Sequence, residues 1–281
     1  MKLCSFGADG RSSFGLVTDG GIVDLGRRFP GVASLRAFLA DDGLAKAKAF
    51  AGDTAADYAL DAVTFEPVIT DPDKIVCIGL NYRDHVAETG RTVTEKPVLF
   101  SRYPGSQIGH GQPMVKPLES DEFDYEGELA VIIGKRGRRI PEADALSYVA
   151  GYSCYNDGSV RDWQRHTSQF LPGKTFAGTG GIGPWMVTAD EIPDPTKLTL
   201  TTRLNGQVVQ NTTTDLMITP IPALIAYIST ILPVEVGDVI VSGTPGGVGA
   251  RRNPPLWMKA GDTVEVEISS IGCLSNPVVN E

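Results

Sequence analysis

Glu126 and Glu128 stand two residues apart where the segment DEFDYEGELAVIIGK passes from acidic to apolar. In a strand that spacing puts both carboxylates on one face, and the apolar run behind them says that the strand enters a core. Two carboxylates at the mouth of a buried strand repel each other unless a cation lies between them, so the pair points to a bound metal ion. A competing reading is a solvated acidic edge, because Glu119, Asp121, Glu122 and Asp124 precede the pair. A second strand-like run, AGYSCYNDGSVRDWQ, ends in Asn156-Asp157-Gly158. An acid at a strand end can face the same mouth or cap the turn, the commoner task of Asp. Glu126, Glu128 and Asp157, with no His or Cys pair nearby, make an oxygen-only donor set that favours Mg²⁺, with Mn²⁺ or Ca²⁺ as alternatives, over zinc.

His85 lies in GLNYRDHVAETG, with Glu88 three residues on. At helical spacing the two side chains share a face, and a carboxylate against an imidazole fixes its tautomer and raises its basicity, as a general base requires. The same pair also suits an ordinary surface contact on a polar helix. A short helix between a buried strand and the polar stretch RTVTEKP has the character of a lid. Lys174, in FLPGKTFAGTGGIGP, is placed to hold an oxyanion or a substrate carboxylate, or simply to be solvated. Ser168 stands where a Walker A loop needs glycine. SGTPGGVG at residues 242–249 follows a strand but precedes no helix, so it reads as a substrate-approach loop or a turn rather than a dinucleotide cradle.

These groups need strands to carry them. KIVCIGL, PVLFSR, ELAVIIG, AGYSCYN, GPWMVT, DVIVSG, DTVEVEI and CLSNPVV all read as strands, and LTLTTRL-Asn205-Gly206-QVVQNT reads as a hairpin. Helices are expected over residues 82–89, 143–148, 161–166 and 221–232. Residues 1–70 form a small N-terminal α/β domain in this reading. It holds two short strands, a turn at Asp19-Gly20-Gly21 and a helix over residues 32–50 with Ser34 as N-cap. Residues 71–281 form the catalytic, metal-binding domain. Many short strands with few helices place the fold in a β-dominated α+β class with a rolled or barrel-like sheet.

Composition narrows the function. The 281-residue chain is 42% hydrophobic and 21% charged, which supports a buried core. Its net charge of -9 argues against nucleic-acid binding. Cys4, Cys77, Cys154 and Cys273 form no CxxC pair and suit a reducing compartment. MKLCSFGADG has no apolar h-region and no run is long enough to span a bilayer, so the expectation is a cytoplasmic protein without a membrane partner.

Taken together, IGLNYRDHVAE, DYEGELAVIIGK, GYSCYNDGSVRDWQ, PGKTF, NGQVVQNTTT, GDVIVSGTPGGVG and KAGDTVEVEI resemble the fumarylacetoacetate hydrolase family. The likeness covers about residues 74–277 and is nearest the shorter bacterial members, the acylpyruvase and 2-hydroxyhepta-2,4-diene-1,7-dioate isomerase-like proteins. The resemblance implies a rolled, mixed-sheet catalytic domain behind a small N-terminal domain, in a homodimer. It implies a metal triad at Glu126, Glu128 and Asp157, and an acid–base pair at His85 and Glu88 on a lid helix. Lys174 then faces the substrate, with Tyr82, Arg102, Gln210 and Thr244 as further contacts and Arg161 as a weaker one. Two positions depart from the family pattern: Ala177 replaces a common acid after the lysine, and Arg102-Tyr103-Pro104 replaces a common Lys-Pro. The implied reaction is Mg²⁺-dependent hydrolysis of a C–C bond in a 2,4-dioxo acid, an acylpyruvate or a diketo sugar acid, through a stabilised enolate. Isomerisation or decarboxylation of a 2-oxo or 2-hydroxydienoate dicarboxylic acid is the alternative, and a non-catalytic binding homologue is a third.

Overall fold

The strand Gly127–Ile133 is buried on both faces, which explains its unbroken apolar run. Leu129, Val131 and Ile133 pack on Leu200, Val266, Ile268 and Leu274 of a second sheet, and on Leu224, Ile225 and Ile228 of the helix Ile221–Ile231. Ala130 and Ile132 point the other way, toward Leu35, Phe38 and Leu39 near the N-terminus. A computed structural model describes residues 1–52 and 54–281.

The main sheet has eleven strands. Its path runs Gly21–Asp24, Arg11–Thr18, Lys2–Ala8, Gly180–Thr188, Val149–Asp157, Gly127–Ile133, Val239–Val241, Ile75–Gly79, Val98–Arg102. Thr64–Phe65 and Gln107–Ile108 attach at its side. Pairing is antiparallel except for Val239–Val241 with Ile75–Gly79 and Gln107–Ile108 with Gly180–Thr188. A second, five-stranded sheet runs Gln207–Thr213, Thr199–Leu204, Thr263–Ile268, Gly272–Asn280, Met114–Lys116. The β-dominated α+β class is as the sequence implies, and the large sheet is open rather than closed into a barrel. Among the described residues no helix is long and apolar enough to cross a membrane, and all four cysteines are free thiols.

Local expectations meet mixed outcomes. The Asn205-Gly206 turn has φ of 53° and 78°, the two positive angles of a type I′ hairpin. Asp9-Gly10 forms a second such turn with φ of 52° and 74°, whereas at Asp19-Gly20-Gly21 only Gly21 has positive φ. The helix expected over residues 32–50 is two short ones, Leu35–Ala40 and Gly43–Lys48. Ser34 caps the first, accepting from the Ala37 amide at 3.2 Å. Asp42, at φ 54°, breaks the run, and a Cβ at Gly43 would lie 2.3 Å from the Phe38 carbonyl oxygen. Residues 142–148 form a 3-10 rather than an α-helix. The boundary placed near residue 70 is crossed by the sheet, through Lys2↔Val187 and Leu3↔Met186, and by the core that Leu35 and Phe38 share with Ala130 and Ile132.

Topology delivers the chemistry to one end of the main sheet. Val239–Val241 and Ile75–Gly79 run parallel to each other and antiparallel to Gly127–Ile133. Their C-terminal ends therefore emerge beside Glu126 and Glu128, and so does the end of Val149–Asp157. The Gly-rich turn and the helix Arg83–Thr89 follow from those two ends and close over the carboxylates.

Candidate active site

Register explains the carboxylate cluster. Gly127 pairs with Asn156 and Glu128 with Tyr155, so Glu126 lies opposite Asp157, whose amide donates to the Glu126 carbonyl at 2.8 Å. Opposed residues and residues two apart share a face. Glu126, Glu128 and Asp157 thus converge, 5%, 1% and 0% exposed, with one oxygen from each within 4.8 Å of the others.

Three cations brace this floor. Lys174 Nζ donates to Glu126 Oε2 at 2.6 Å and to Asp157 Oδ2 at 2.7 Å. Arg102 Nη1 donates to Asp157 Oδ1 and to the Gly158 carbonyl, and Nη2 donates to Thr179. Arg161 Nη1 pairs with Glu126 Oε1 at 2.6 Å and its Nε donates to Asp124 at 2.8 Å. Burial opposes charge on Glu126, but Lys174 and Arg161 outweigh it and hold its carboxyl well below the usual range. Burial also opposes charge on Lys174, yet Asp157 and Glu126 keep it an ammonium. Glu128 is the odd group: burial, then Asp157 and Glu126, push it well above the usual carboxyl range against the opposing pull of Lys174 and the Gly243 amide.

Four buried acids, Asp124, Glu126, Glu128 and Asp157, therefore face three buried cations. A divalent ion fits that imbalance, because it supplies the charge that leaves Glu128 free to ionise, and three carboxylate oxygens are the donors a hard cation takes. The residues present suit Mg²⁺ or Mn²⁺, with Glu126, Glu128 and Asp157 as holders.

Above the floor opens a cavity of about 560 Å³. His85 is in its wall. Its Nδ1 is 2.6 Å from Glu88 Oε1, so the Glu88 carboxylate accepts from Nδ1–H in the tautomer that leaves Nε2 as the ring's basic nitrogen. Glu88 is itself held by the Gly247 amide at 2.8 Å, and Asp84 by the Gly246 amide at 3.1 Å. The Gly-rich turn thus latches the helix of the dyad rather than cradling a ligand. Gly247 has φ of 100°, and a Cβ there would meet the Val209 carbonyl oxygen at 2.4 Å. Gly247→Ala should therefore shift the amide that aims Glu88 and lower turnover on the order of 10²-fold; kinetics with a parallel ion titration, expected to be unchanged, checks this.

Residues 74–279 match the family model described as fumarylacetoacetate (FAA) hydrolase C-terminal. The chain belongs to the fumarylacetoacetate hydrolase family. Its relatives in this family catalyse several reactions. It is 46% identical over 213 residues to a mitochondrial oxaloacetate tautomerase of Xenopus laevis, covering 75% of this chain and 67% of that one. It superposes on the 5-carboxymethyl-2-hydroxymuconate delta-isomerase of Mycobacterium smegmatis with a TM-score of 0.79 and 30% identity, covering 100% and 99% of the two chains. It superposes on the maleylpyruvate hydrolase of Sphingobium sp. SYK-6, solved with manganese(II) and pyruvate, with a TM-score of 0.83 and 28% identity, covering 100% and 99%. The protein is thus an enzyme of a family that includes hydrolases, isomerases and tautomerases.

Within this family frame the structure brings Glu126, Glu128, Asp157, His85, Glu88 and Lys174 to one place. Of the other expected contacts, Thr244 and Arg161 line the cavity, whereas Tyr82, Arg102 and Gln210 do not. Tyr82 sits in the core beside Ile78 and Leu224, its hydroxyl without a partner among the described residues. Arg102 lies behind Asp157, fully buried, and does not line the cavity. Gln210 accepts from the Gly127 amide at 2.9 Å and donates to Thr244 at 2.8 Å, also behind the wall. Thr244 lines the cavity, but its hydroxyl donates to the Gly127 carbonyl at 3.0 Å. Ala177 is exposed and outside the cavity, so the missing acid leaves no gap in the wall. Asp124, one of the acids that precede the pair in sequence, is fully buried and binds Arg161. Arg161 lines the cavity with its Nη2 unpartnered among the described residues.

Proposed function

We propose that this enzyme interconverts the keto and enol forms of a small 2-oxo acid, with Mg²⁺ at the Glu126, Glu128 and Asp157 floor. The observation that carries the reading is the His85–Glu88 dyad, with His85 in the wall of a cavity lined by Glu126 and Glu128, the two acids that cluster with Asp157. A divalent ion bound there supplies Lewis-acid stabilisation of the charge that an enolate places on oxygen. His85 takes the proton from carbon 3 on Nε2. The C–H electron pair forms the C2=C3 bond, the carbonyl pair moves to the oxygen, and the imidazolium returns its proton there. Glu88 steadies the imidazolium between the two transfers. Lys174, kept protonated, and the unpartnered Arg161 Nη2 give the substrate's carboxylate and developing oxyanion cationic donors without leaving a buried donor unpaired. Support comes also from the 46% identity to an oxaloacetate tautomerase.

Hydrolysis of a C–C bond in a 2,4-dioxo acid is the second reading. It needs the same dyad to activate a water against a distal carbonyl, and the likeness to maleylpyruvate hydrolase favours it. One panel separates the two. Ultraviolet decay of enol oxaloacetate and pyruvate release from acylpyruvates are followed with Mg²⁺ and with EDTA. Ion-dependent acceleration of enol decay without pyruvate release is expected. Rapid pyruvate release would transfer the assignment to hydrolysis, and no effect on either substrate class would refute both.

A further inference from the structure

In a chain of net charge -9, the cavity wall is cationic. Among the described residues Arg91, Arg161, Arg165, Arg251 and Lys174 line it, against the acids Glu126 and Glu128. Lys174 and Arg161 pair with Glu126 and serve the near end of the substrate. Arg165 pairs with Glu122 at 2.5 Å. Arg91 and Arg251 are exposed and have no carboxylate partner among the described residues. They differ in how they are held. Arg91 follows Gly90, which ends the helix Arg83–Thr89 at φ 69°, and its guanidinium lies 5.6 Å from the Phe170 ring centre. Arg251 closes the 3-10 turn Gly249–Arg251, whose first two amides donate to buried Asp124 at 2.8 and 3.0 Å. Asp124 in turn accepts from Arg161 Nε, and Arg161 Nη1 binds Glu126. A continuous chain of charge-assisted bonds therefore fixes the Arg251 turn relative to the carboxylate floor.

Resting on the 2-oxo acid reading, we propose that Arg251 recognises a second carboxylate, at the far end of the substrate, and so selects short 2-oxo dicarboxylic acids over their monoacid counterparts. Asp124 is the positioning residue that sets its distance from the floor. Arg251 is the better candidate than Arg91 because its turn is bonded to Asp124 and through it to the floor, while Arg91 lies past the C-cap of the helix Arg83–Thr89. A guanidinium suits the task, since it presents paired N–H donors to a carboxylate and stays charged at every working pH.

The test measures binding rather than turnover. 3,3-Difluorooxaloacetate has no hydrogen on carbon 3 and cannot enolise, and its 4-amide keeps the shape but loses the distal charge. Calorimetry with the Mg²⁺-loaded protein is expected to show Arg251→Met weakening the diacid by about 10–100-fold and the amide by less than about twofold. Arg251→Lys should restore part of the loss. Equal losses for both ligands, no loss for either, or the same selective loss from Arg91→Met instead would overturn the assignment. Tight, Arg251-dependent binding in a protein that turns over no 2-oxo acid would refute the functional reading and leave this one standing.

Discussion

Replacing His85 with Gln should slow keto–enol interconversion by about 10²–10⁴-fold, the usual worth of a positioned general base, with little change in ion affinity. Among the described residues His85 makes no hydrogen bond to a carboxylate of the floor; its side-chain partner is Glu88, on the same helix Arg83–Thr89. Removing the imidazole therefore takes away the proton carrier without disturbing the donors beneath it. Glu88→Gln should fall between, because it keeps a side chain within reach of Nδ1 but not the negative charge that steadies the imidazolium. Initial rates of enol decay for both variants give the comparison. A His85→Gln enzyme within about tenfold of the wild type would mean that the proton moves through another group.

Asp157→Ala carries the largest expected stability effect. Its two oxygens accept from Arg102 and Lys174, both buried, and the side chain itself is wholly enclosed. Loss of one partner from a buried ion pair strands the other charge, at about 3–5 kcal/mol. Guanidinium unfolding should show a fall of that size. Asp157→Asn should lose less, since its amide oxygen still accepts one of these bonds. A loss below about 1 kcal/mol, the range of an exposed pair, would show that the buried cations find other partners.

What the sequence made legible follows from short-range geometry. The two-residue spacing of Glu126 and Glu128 and the strand-end position of Asp157 are period-2 features, and the Asn205-Gly206 hairpin and the Ser34 cap are local chemistry. What stayed hidden depends on contacts far apart in the chain. Asp124 looks no different in sequence from Asp121, yet it is buried because Phe123–Asp124 pairs with Ser159–Val160. Arg102 reads as a ligand for substrate, but the sheet turns it behind Asp157, 55 residues on. Tyr82 adjoins the helix Arg83–Thr89 in sequence and packs into the core in space. The N-terminal strands look like a separate module because nothing local announces their pairing with Gly180–Thr188. The Gly-rich turn reads in sequence as a substrate-approach loop or a turn, and only the fold shows that its amides bind the carboxylates of Asp84 and Glu88.

Manganese titration by electron paramagnetic resonance reaches the carboxylate floor most directly. Glu128→Gln is the matched control: burial and its acidic neighbours already push Glu128 toward its uncharged form, so a neutral amide of the same shape should fold normally while losing one anionic donor. The wild-type chain should take up one ion, displaceable by Mg²⁺, and the variant should bind at least about tenfold more weakly, as loss of a charged donor demands. A wild-type chain that leaves the manganese free, or a variant that binds it equally well, would contradict the placement of the ion between those two strands.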